Sequence, residues 1–292
     1  MKIKLTIENN TCPDLFRPGD TILDISASTN FWRTSQLLTA DLILSEGNEI
    51  RKLNLTCEKE SDEYDMLLEV SSSLSDTKRV LTFNGTGFDI PHLTKKYMAY
   101  RTRCPFEKTV HTDLRGELRK YSPVLPIESH KLRDYYSLVS ASDAELSDAD
   151  RTLAILPLLK LENFFKGQFV ITDIVRSGDS VSFLSESDLP CMISYLDETF
   201  SVKGGPGPVE ITAKLYDESL RMYHADFQNY MFLPLEGYAV HKSLASYIAS
   251  SRKIPAVKET CFTYIPFHRK FSEDPDKVRK YLLSLLAYTL NR

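Results

Sequence analysis

The sequence predicts an α/β fold in which helices flank a mixed sheet, followed by a smaller α+β unit. Between about residues 20 and 165, apolar segments of strand length alternate with segments of helical period, as in a partly parallel sheet covered by helices. Beyond residue 166, strand-like segments follow one another across short turns, which indicates antiparallel pairing. We therefore predict one domain over residues 1–165 and a second over residues 166–292.

The composition is that of an ordinary globular protein, with 42% hydrophobic and 26% charged residues. No apolar run reaches the roughly 18–20 residues of a membrane span, and the first residues lack a secretory pattern. The five cysteines are scattered and form no Cys-x-x-Cys pair, which disfavours a structural zinc site or a disulfide framework. We expect a cytoplasmic protein that does not engage a membrane.

Charge is unevenly distributed along the chain, whose net charge is −4 from 36 Lys and Arg against 40 Asp and Glu. Residues 239–292 hold 10 of the basic and 4 of the acidic residues, hence +6, and the remainder holds 26 and 36, hence −10. A basic end on an acidic body suits contact with a polyanion. A solvated basic helix explains the same numbers equally well.

The first domain begins with an apolar strand at residues 21–26 that contains Asp24. Strands at 36–44 and 50–57 follow, joined by a turn at 46–48. Ser61 has the residue type of a helix N-cap, and acidic residues fill the first turn after it. The elements that complete this domain are a strand at 80–84, a helix from Ile90, a strand at 109–114, and helices at 114–120, 130–139 and 147–165, the last kinked at Pro157.

Residues 80–93 are the most informative segment of the chain. They indicate a buried strand, a turn that contains Gly85, and a helix opened by Asp89. Ligands of open α/β sheets bind at the carboxyl ends of strands, so Asp89 is a candidate cation ligand. Capping of its own helix is the alternative.

The second domain is predicted to start with a hairpin, residues 168–175 and 180–184. Strands at 192–202 and 209–216 and amphipathic helices at 240–251 and 276–290 follow. Its aromatic and basic residues indicate either a stacking surface for single-stranded nucleic acid or an aromatic core. His241 and Lys242, at a predicted helix start, are candidates for phosphate contact.

Three segments of the first domain resemble a known family. Residues 22–25 place Asp24 near the end of an apolar strand, residues 82–93 form the most specific motif, and residues 111–114 with the helix start at Asp150 add support. Over residues 20–165 the chain resembles the RNase H-like DEDD 3′–5′ exonucleases, especially a bacterial subgroup with ribonuclease H-like domains. The resemblance implies an RNase H-like mixed sheet flanked by helices.

The resemblance also implies a chemistry, namely two-metal phosphodiester hydrolysis at a single-stranded 3′ end, with DNA or RNA left open. It implies Mg²⁺ or Mn²⁺ held by Asp24, Asp89 and Asp150, since hard cations take carboxylate oxygens. It further implies that Ser26, Asn84 and Phe88 contact the substrate.

Two departures from the family pattern predict that catalysis is weak or lost. The family has Asp-x-Glu in its first motif, and Ser26 stands here in place of the Glu. The family also has His or Tyr four or five residues before its last acid, where this chain has Glu145 and Leu146. Whether Glu145 or Asp148 supplies a replacement carboxylate is left open by the sequence.

Two other functions stay open beside the exonuclease. Ser147 and Asp150 form a capping-box pattern, which explains Asp150 without a metal. A catalytically degenerate nucleic-acid-binding protein and a protein-interaction module are therefore the alternatives. The sequence does not decide the oligomeric state.

Overall fold

The computed structural model describes residues 1–31, 33–141 and 145–291. Contacts divide the chain into two compact units, one of Met1–Arg119 with Ile127–Leu159 and one of Lys120–Pro126 with Lys160–Arg292. The functional boundary between residues 165 and 166 stays a prediction. In the part of the chain that is described, no helix has the length and apolar character needed to span a bilayer.

A mixed sheet forms the centre of the first unit. Its strands are β1 (Lys2–Asn9), β2 (Asp20–Ala27), β3 (Leu37–Ser45), β4 (Glu49–Thr56), β5 (Arg79–Thr82) and β6 (Val110–Asp113). The order across the sheet is β1-β4-β3-β2-β5-β6. The pairs from β1 to β2 are antiparallel, whereas β2, β5 and β6 run parallel. The predicted mixed sheet is confirmed.

Helices cover both faces of this sheet. They are α1 (Asp62–Ser73), α2 (Asp89–Ala99), α3 (Leu114–Arg119), α4 (Leu132–Ser137) and α5 (Asp148–Ala154), with a 3-10 turn at Pro105–Lys108. Leu67 of α1 and Leu93 of α2 are buried in one cluster with Leu23 of β2. Burial of each such side chain contributes about 1.5–3 kcal/mol. Helix α5 packs against β2 and β3.

The structure of the first unit differs from the sequence analysis at two places. Strand β1 was not predicted, because residues 2–9 precede the segment in which strands and helices alternate. The single helix predicted at 147–165 is wrong, because it is interrupted after Ala154 by a 3-10 segment, Leu156–Lys160, and resumes as α6 (Leu161–Phe165). Pro157 lies in that segment and lacks the N–H that a continuous helix requires.

The second unit is built from antiparallel strands. They are β7 (Val170–Ser177), β8 (Ser180–Ser187), β9 (Ile193–Leu196), β10 (Phe200–Gly204), β11 (Gly207–Lys214), β12 (Ser219–Tyr223), β13 (Tyr230–Leu233), β14 (Tyr238–His241), β15 (Ile254–Pro255) and β16 (Phe262–Pro266). Among the described residues they form sheets of order β7-β8-β11-β10-β9, β12-β16 and β14-β13-β15. The predicted α+β character is confirmed.

The helices of the second unit differ in part from the prediction. After α6 they are α7 (Lys242–Ala245), α8 (Arg269–Ser272) and α9 (Pro275–Leu290), with 3-10 turns at Phe227–Asn229, Ser250–Arg252 and Lys258–Thr260. The helix predicted at 276–290 is confirmed by α9. The helix predicted at 240–251 is wrong, because its first residues pair with β13 as the end of β14 and four residues alone form α7.

The strand predicted at 192–202 is also wrong as a single element. Asp197 reverses the chain between β9 and β10, because its Oδ1 accepts hydrogen bonds from the backbone N–H of Thr199 (2.7 Å) and of Phe200 (3.1 Å). Asp side chains that bind a backbone amide two residues ahead stabilise such turns.

Candidate acidic site

Asp24 lies near the carboxyl end of β2 and faces a second acid across the sheet. Its Cα partner on β3 is Asp41, and the partner of Asp41 on β4 is Asn54. Paired residues of neighbouring strands share a face of the sheet, so the two carboxylates lie on the same side. Asp24 is half-buried because its chain neighbours Leu23 and Ile25 belong to the core and α5 packs against the strand.

Asp89 reaches the same strand from the first turn of α2. Its Oδ1 accepts a hydrogen bond of 3.1 Å from the backbone N–H of Ile25, the residue that follows Asp24. Asp89 is 4% exposed, and the N-cap position of the helix belongs to Phe88. The contact with β2 therefore distinguishes Asp89 from an ordinary helix cap, and it holds the Asp89 carboxylate against the residue that follows Asp24.

Burial and mutual repulsion raise the pKa values of Asp24 and Asp89. Burial, together with the negative charges of Asp89, Asp148 and Asp41, raises the pKa of Asp24 to about 8. Burial also raises the pKa of Asp89 to about 6. The hydrogen bond from Ile25 lowers this pKa, whereas the charges of Asp113 and Asp148 raise it further. A carboxyl group with so high a pKa is one whose charged form lacks a neutralising partner.

The third predicted acid, Asp150, is engaged elsewhere. Its Oδ1 lies 2.8 Å from Nζ of Lys52, and its Oδ2 accepts a 2.8 Å hydrogen bond from the Ser147 hydroxyl. Ser147 in turn caps α5 by accepting the backbone N–H of Asp150 at 3.1 Å. The capping-box pattern of the sequence is thus present, and the proposed metal role of Asp150 stays a prediction.

Asp148, two residues earlier on the same helix, carries the charge that acts on Asp24 and Asp89. It is exposed, and its Oδ1 forms a 2.8 Å ion pair with the guanidinium of Arg151. This ion pair is at the surface, where such a pair contributes little to stability. Asp148 is therefore the acid of α5 that is electrostatically part of the site.

The turn between β5 and α2 lies next to Asp89 and is held by hydrogen bonds from outside it. Asp113, at the end of β6, accepts backbone N–H groups from Asn84 at 2.8 Å and from Thr86 at 3.0 Å. Asn84 adopts a left-handed backbone with φ of 67°, and its side-chain oxygen accepts a 2.6 Å hydrogen bond from Arg115. Such a strained residue is kept in place by surrounding contacts and is frequent at functional sites.

Ser26 and Phe88, both predicted to bind substrate, lie at the same edge of the sheet. The Ser26 hydroxyl is 2.6 Å from the Thr39 hydroxyl on β3, so it is engaged with another side chain. The Phe88 ring is half-buried, with its centroid 5.1 Å from that of His92. Glu145 is exposed and precedes the Ser147 cap.

A model of the RNase H superfamily matches residues 31–139. The matched residues are therefore similar to that superfamily over 109 of the 292 positions. The predicted RNase H-like fold is thereby confirmed, and we refer to residues 31–139 as the RNase H-like region. A comparison with curated proteins found no match.

The chain is also similar to solved structures of E. coli exonuclease I. The complex of that protein with a dT13 oligonucleotide is 12% identical, with 93% of this chain and 74% of that chain covered at a TM-score of 0.40. Its zinc-bound complex with single-stranded DNA is 12% identical, with 92% and 73% covered at a TM-score of 0.40. Its apo form is 11% identical, with 92% and 73% covered at a TM-score of 0.40.

The RNase H-like region contains some of the charged residues described above and not others. Asp41, Lys52, Asp89 and Asp113 fall inside it, and Asp24, Asp148 and Asp150 fall outside the matched range. His241 and Lys242 belong to the second unit. Both are exposed, and Nδ1 of His241 lies 2.8 Å from the Ser243 hydroxyl. Their phosphate contact stays a prediction, and the four-residue α7 offers a far smaller helix dipole than the helix predicted there.

Sequence reasoning overlooked Asp41, which lies on β3 within the RNase H-like region. The signal was present, since Asp41 is an acid inside the apolar strand after the one that holds Asp24, and the turn at 46–48 sets its pairing partner on β4. Burial raises the pKa of Asp41 against a hydrogen bond from Asn54, with repulsion from Asp150 and Asp148. Asp41 thus adds negative potential to the face that carries Asp24.

Proposed function

We propose that this protein processes nucleic acids and that Asp24 and Asp89 hold one divalent cation, Mg²⁺ or Mn²⁺, at the end of a single strand. The observation that carries the proposal is the hydrogen bond from the amide of Ile25 to Asp89 Oδ1, which holds the buried Asp89 against the backbone position next to the half-buried Asp24. Burial and mutual repulsion raise the pKa values of both carboxyls, and a divalent cation bound between them would offset that repulsion.

The donor set fits a cation held by two carboxylates. Among the described residues, no three His, Cys, Asp or Glu side chains are arranged to hold a metal ion. Mg²⁺ does not require such a cage, because it commonly keeps several waters and takes one or two carboxylates together with substrate phosphate oxygens. Held by Asp24 and Asp89, such an ion would supply the activation of water and the charge stabilisation that phosphodiester hydrolysis requires.

The chain's own residues favour one cation over two. Ser26 stands where the family has a Glu and its hydroxyl is engaged with Thr39, while Lys52 neutralises Asp150. Asp148 remains as an acid that repels Asp24 and Asp89 and is exposed to an incoming ion. We infer slow phosphodiester hydrolysis, since the second ion of the family mechanism lacks its ligands.

Substrate is positioned on this proposal by the turn between β5 and α2. The left-handed Asn84 and the half-buried Phe88 both precede Asp89 in this turn, where Asn84 accepts a hydrogen bond from Arg115 and the Phe88 ring contacts that of His92. An aromatic ring at that place offers a stacking surface for a terminal base.

We also propose a cytoplasmic location, because no disulfide joins the five cysteines, all of which lie in the described ranges.

The test is metal binding followed by cleavage. Mn²⁺ titrated into the full-length protein at pH 8.5 should bind and raise Tm, and Asp24→Asn or Asp89→Asn should abolish both effects. The exposed Asp65→Asn on α1 is the matched control. Single-stranded DNA and RNA labelled at the 5′ end should then be shortened from the 3′ end, with Mn²⁺ and with wild-type protein only. Equal Mn²⁺ binding by wild type and both site variants would rule the site out.

A second candidate function is nucleic-acid binding without cleavage. The observation that favours it is the Lys52–Asp150 pair, which removes one family ligand from the site. On this alternative the labelled strand is retained by the protein and keeps its full length in Mn²⁺. The affinity should fall with added salt, because contacts to phosphates release counterions.

A further inference from the structure

The first unit exposes a regular strand at one edge of its sheet. In the described part of the chain β1 pairs with β4 and has no other strand neighbour. The pairing runs without a register shift from Lys2↔Thr56 to Asn9↔Glu49. A free edge of this length presents a row of backbone N–H and C=O groups to any strand that fits it.

The exposed edge of the second unit makes a useful contrast. Strand β7 is as long as β1, but its pairing with β8 shifts register between Ile171 and Asp173. Bulges of this kind twist an edge strand and discourage further pairing. Strand β1 has no such irregularity among its paired residues.

One face of β1 carries an apolar row. Ile3, Leu5 and Ile7 point to the same face, since side chains alternate along a strand, and they are 50%, 56% and 59% exposed. The β4 partners of Ile3 and Leu5 are the buried Leu55 and Leu53. The row therefore continues the hydrophobic core of the unit outward to the sheet edge.

We propose that a second copy of this chain covers the edge, with the two β1 strands antiparallel about a two-fold axis at Leu5. In that register Leu5 faces Leu5, Ile3 faces Ile7, and Lys2 faces Glu8 of the other copy. A two-fold interface brings the same patch of both subunits together, so a self-complementary strand is what it requires. Opposite charges and apolar pairs that face each other stabilise neighbouring strands.

Neighbouring registers fit less well. A shift of two residues in one direction places Lys4 against Lys4 on the axis, and a like-charge pair is destabilising. A shift of two in the other direction places Ile3 against Asn9 and loses an apolar pair. A shift of one residue sends the apolar rows to opposite faces. The register centred on Leu5 alone keeps three apolar contacts and two opposite-charge contacts.

The charge contact is shared with the chain's own Lys52, whose Nζ lies 2.6 Å from Glu8 Oε2. Lys2 of the second copy therefore joins an ion pair that already exists. Because surface ion pairs contribute little individually, the apolar row supplies most of the affinity and the charges select the register. An interface of a few strand residues is small, so the dimer should be of the weak, concentration-dependent class.

Disulfide trapping tests the register. In Leu5→Cys the two introduced thiols meet on the axis, and mild oxidation should give a covalent dimer of the full-length protein. Lys4→Cys is the matched control, because its side chain lies on the other face and opposite Thr6. Wild type reports the background from the five native cysteines. Equal cross-linking of both variants, or of neither, overturns the proposal.

Charge reversal tests the pairing without cysteines. Lys2→Glu should shift wild-type dimer toward monomer in sedimentation velocity, and so should Leu5→Lys. A mixture of Lys2→Glu with Glu8→Lys should dimerise more than either variant alone, because each copy then presents the charge that the other needs. Circular dichroism verifies that every variant is folded. A wild type that stays monomeric up to millimolar concentration, or a mixture no better than its components, overturns the proposal.

Discussion

Nζ of Lys52 lies 2.8 Å from Oδ1 of Asp150 and 2.6 Å from Oε2 of Glu8. Burial lowers the pKa of this amine, but its hydrogen bonds to Asp150 and Glu8 outweigh burial and raise it overall. Lys52 therefore stays charged and links β1, β4 and α5. The same contact neutralises Asp150, whereas Asp41, Asp89 and Asp148 are the acids whose charges act on Asp24.

Removal of the lysine should restore part of the acidic site. In Lys52→Met the carboxylate of Asp150 loses its cation and adds to the negative potential on the face of Asp24 and Asp41. We expect Mn²⁺ affinity to rise roughly threefold to tenfold, which corresponds to about 0.7–1.4 kcal/mol. Isothermal titration calorimetry at pH 8 measures the change.

The control for this variant is Lys203→Met, which removes an exposed lysine from β10 in the second unit. It should leave Mn²⁺ affinity unchanged. If Lys52→Met binds Mn²⁺ no more tightly than this control, the lysine does not mask the site.

The raised pKa of Asp24 makes stability depend on pH in a defined direction. In the unfolded chain this carboxyl titrates near its ordinary pKa of 3.8, whereas in the folded protein it titrates at about 8. Between these values the folded state holds the extra proton, so the free energy of unfolding falls as pH rises from about 4 to 8. At about 1.4 kcal/mol per pKa unit, the free energy of unfolding falls by at most several kcal/mol over this range. Solvent screening of the half-buried carboxylate makes the decrease smaller.

Asp24→Asn removes this dependence, because an amide does not titrate. We expect the variant to gain Tm relative to wild type as pH rises from 5 to 8.5, with metal chelated by EDTA. Mn²⁺ should then remove this difference in Tm by stabilising wild type alone, since binding to the folded state raises stability. A difference in Tm that stays constant over this pH range would contradict the assigned titration.

The two acids of α5 can be separated by single amides. Asp148→Asn removes a charge that repels Asp24 and Asp89, so the pH at which Mn²⁺ binding is half-maximal should fall. The affinity at high pH should also weaken severalfold, because the site loses negative charge. Asp150→Asn should leave the midpoint in place and lower stability by about 1 kcal/mol, through loss of the Lys52 and Ser147 contacts. Calorimetry across pH and urea denaturation measure both effects. A stronger effect of Asp150→Asn on Mn²⁺ affinity would assign the ligand to Asp150.

Local signals predicted the parts of the site that depend on neighbouring residues. The strand with Asp24, the turn at Gly85 and the helix that begins at Asp89 follow from apolar runs, glycine and an acidic helix start, and the structure has all three. The choice between Asp148 and Asp150 was beyond the sequence, because both lie in the first turn of α5 and only Lys52, about a hundred residues away, decides which one is withdrawn.

The fold also has parts that local sequence signals predict and parts that depend on distant residues. The mixed sheet follows from alternation of strand and helix segments, whereas β1 owes its place to eight cross-strand pairs with β4 that no local pattern specifies. The predicted helix at 240–251 failed because pairing of His241 with Tyr230 on β13 outweighs a helical period. Strand propensity of this kind is set by tertiary neighbours.

Gly85 offers a test of how tightly the site turn is packed. A Cβ on this residue would lie 2.2 Å from Oγ1 and 2.4 Å from Cβ of Thr82. Thr82 is fully buried and its hydroxyl is 2.8 Å from Nε2 of His111, so the neighbour has no room to yield. Overpacking typically costs about 1–3 kcal/mol, and Gly85→Ala should lower the urea midpoint accordingly.

The matched glycine is Gly116 in α3, where an added Cβ meets no atom within 4 Å. Gly116→Ala should stabilise the protein by about 0.5–1 kcal/mol, because alanine loses less conformational entropy in a helix. Gly85→Ala should also reduce the Mn²⁺-dependent rise in Tm, since the turn that it distorts leads directly into Asp89, while Gly116→Ala keeps that rise. Two variants of equal stability would show that the turn accommodates a side chain and does not position Asp89.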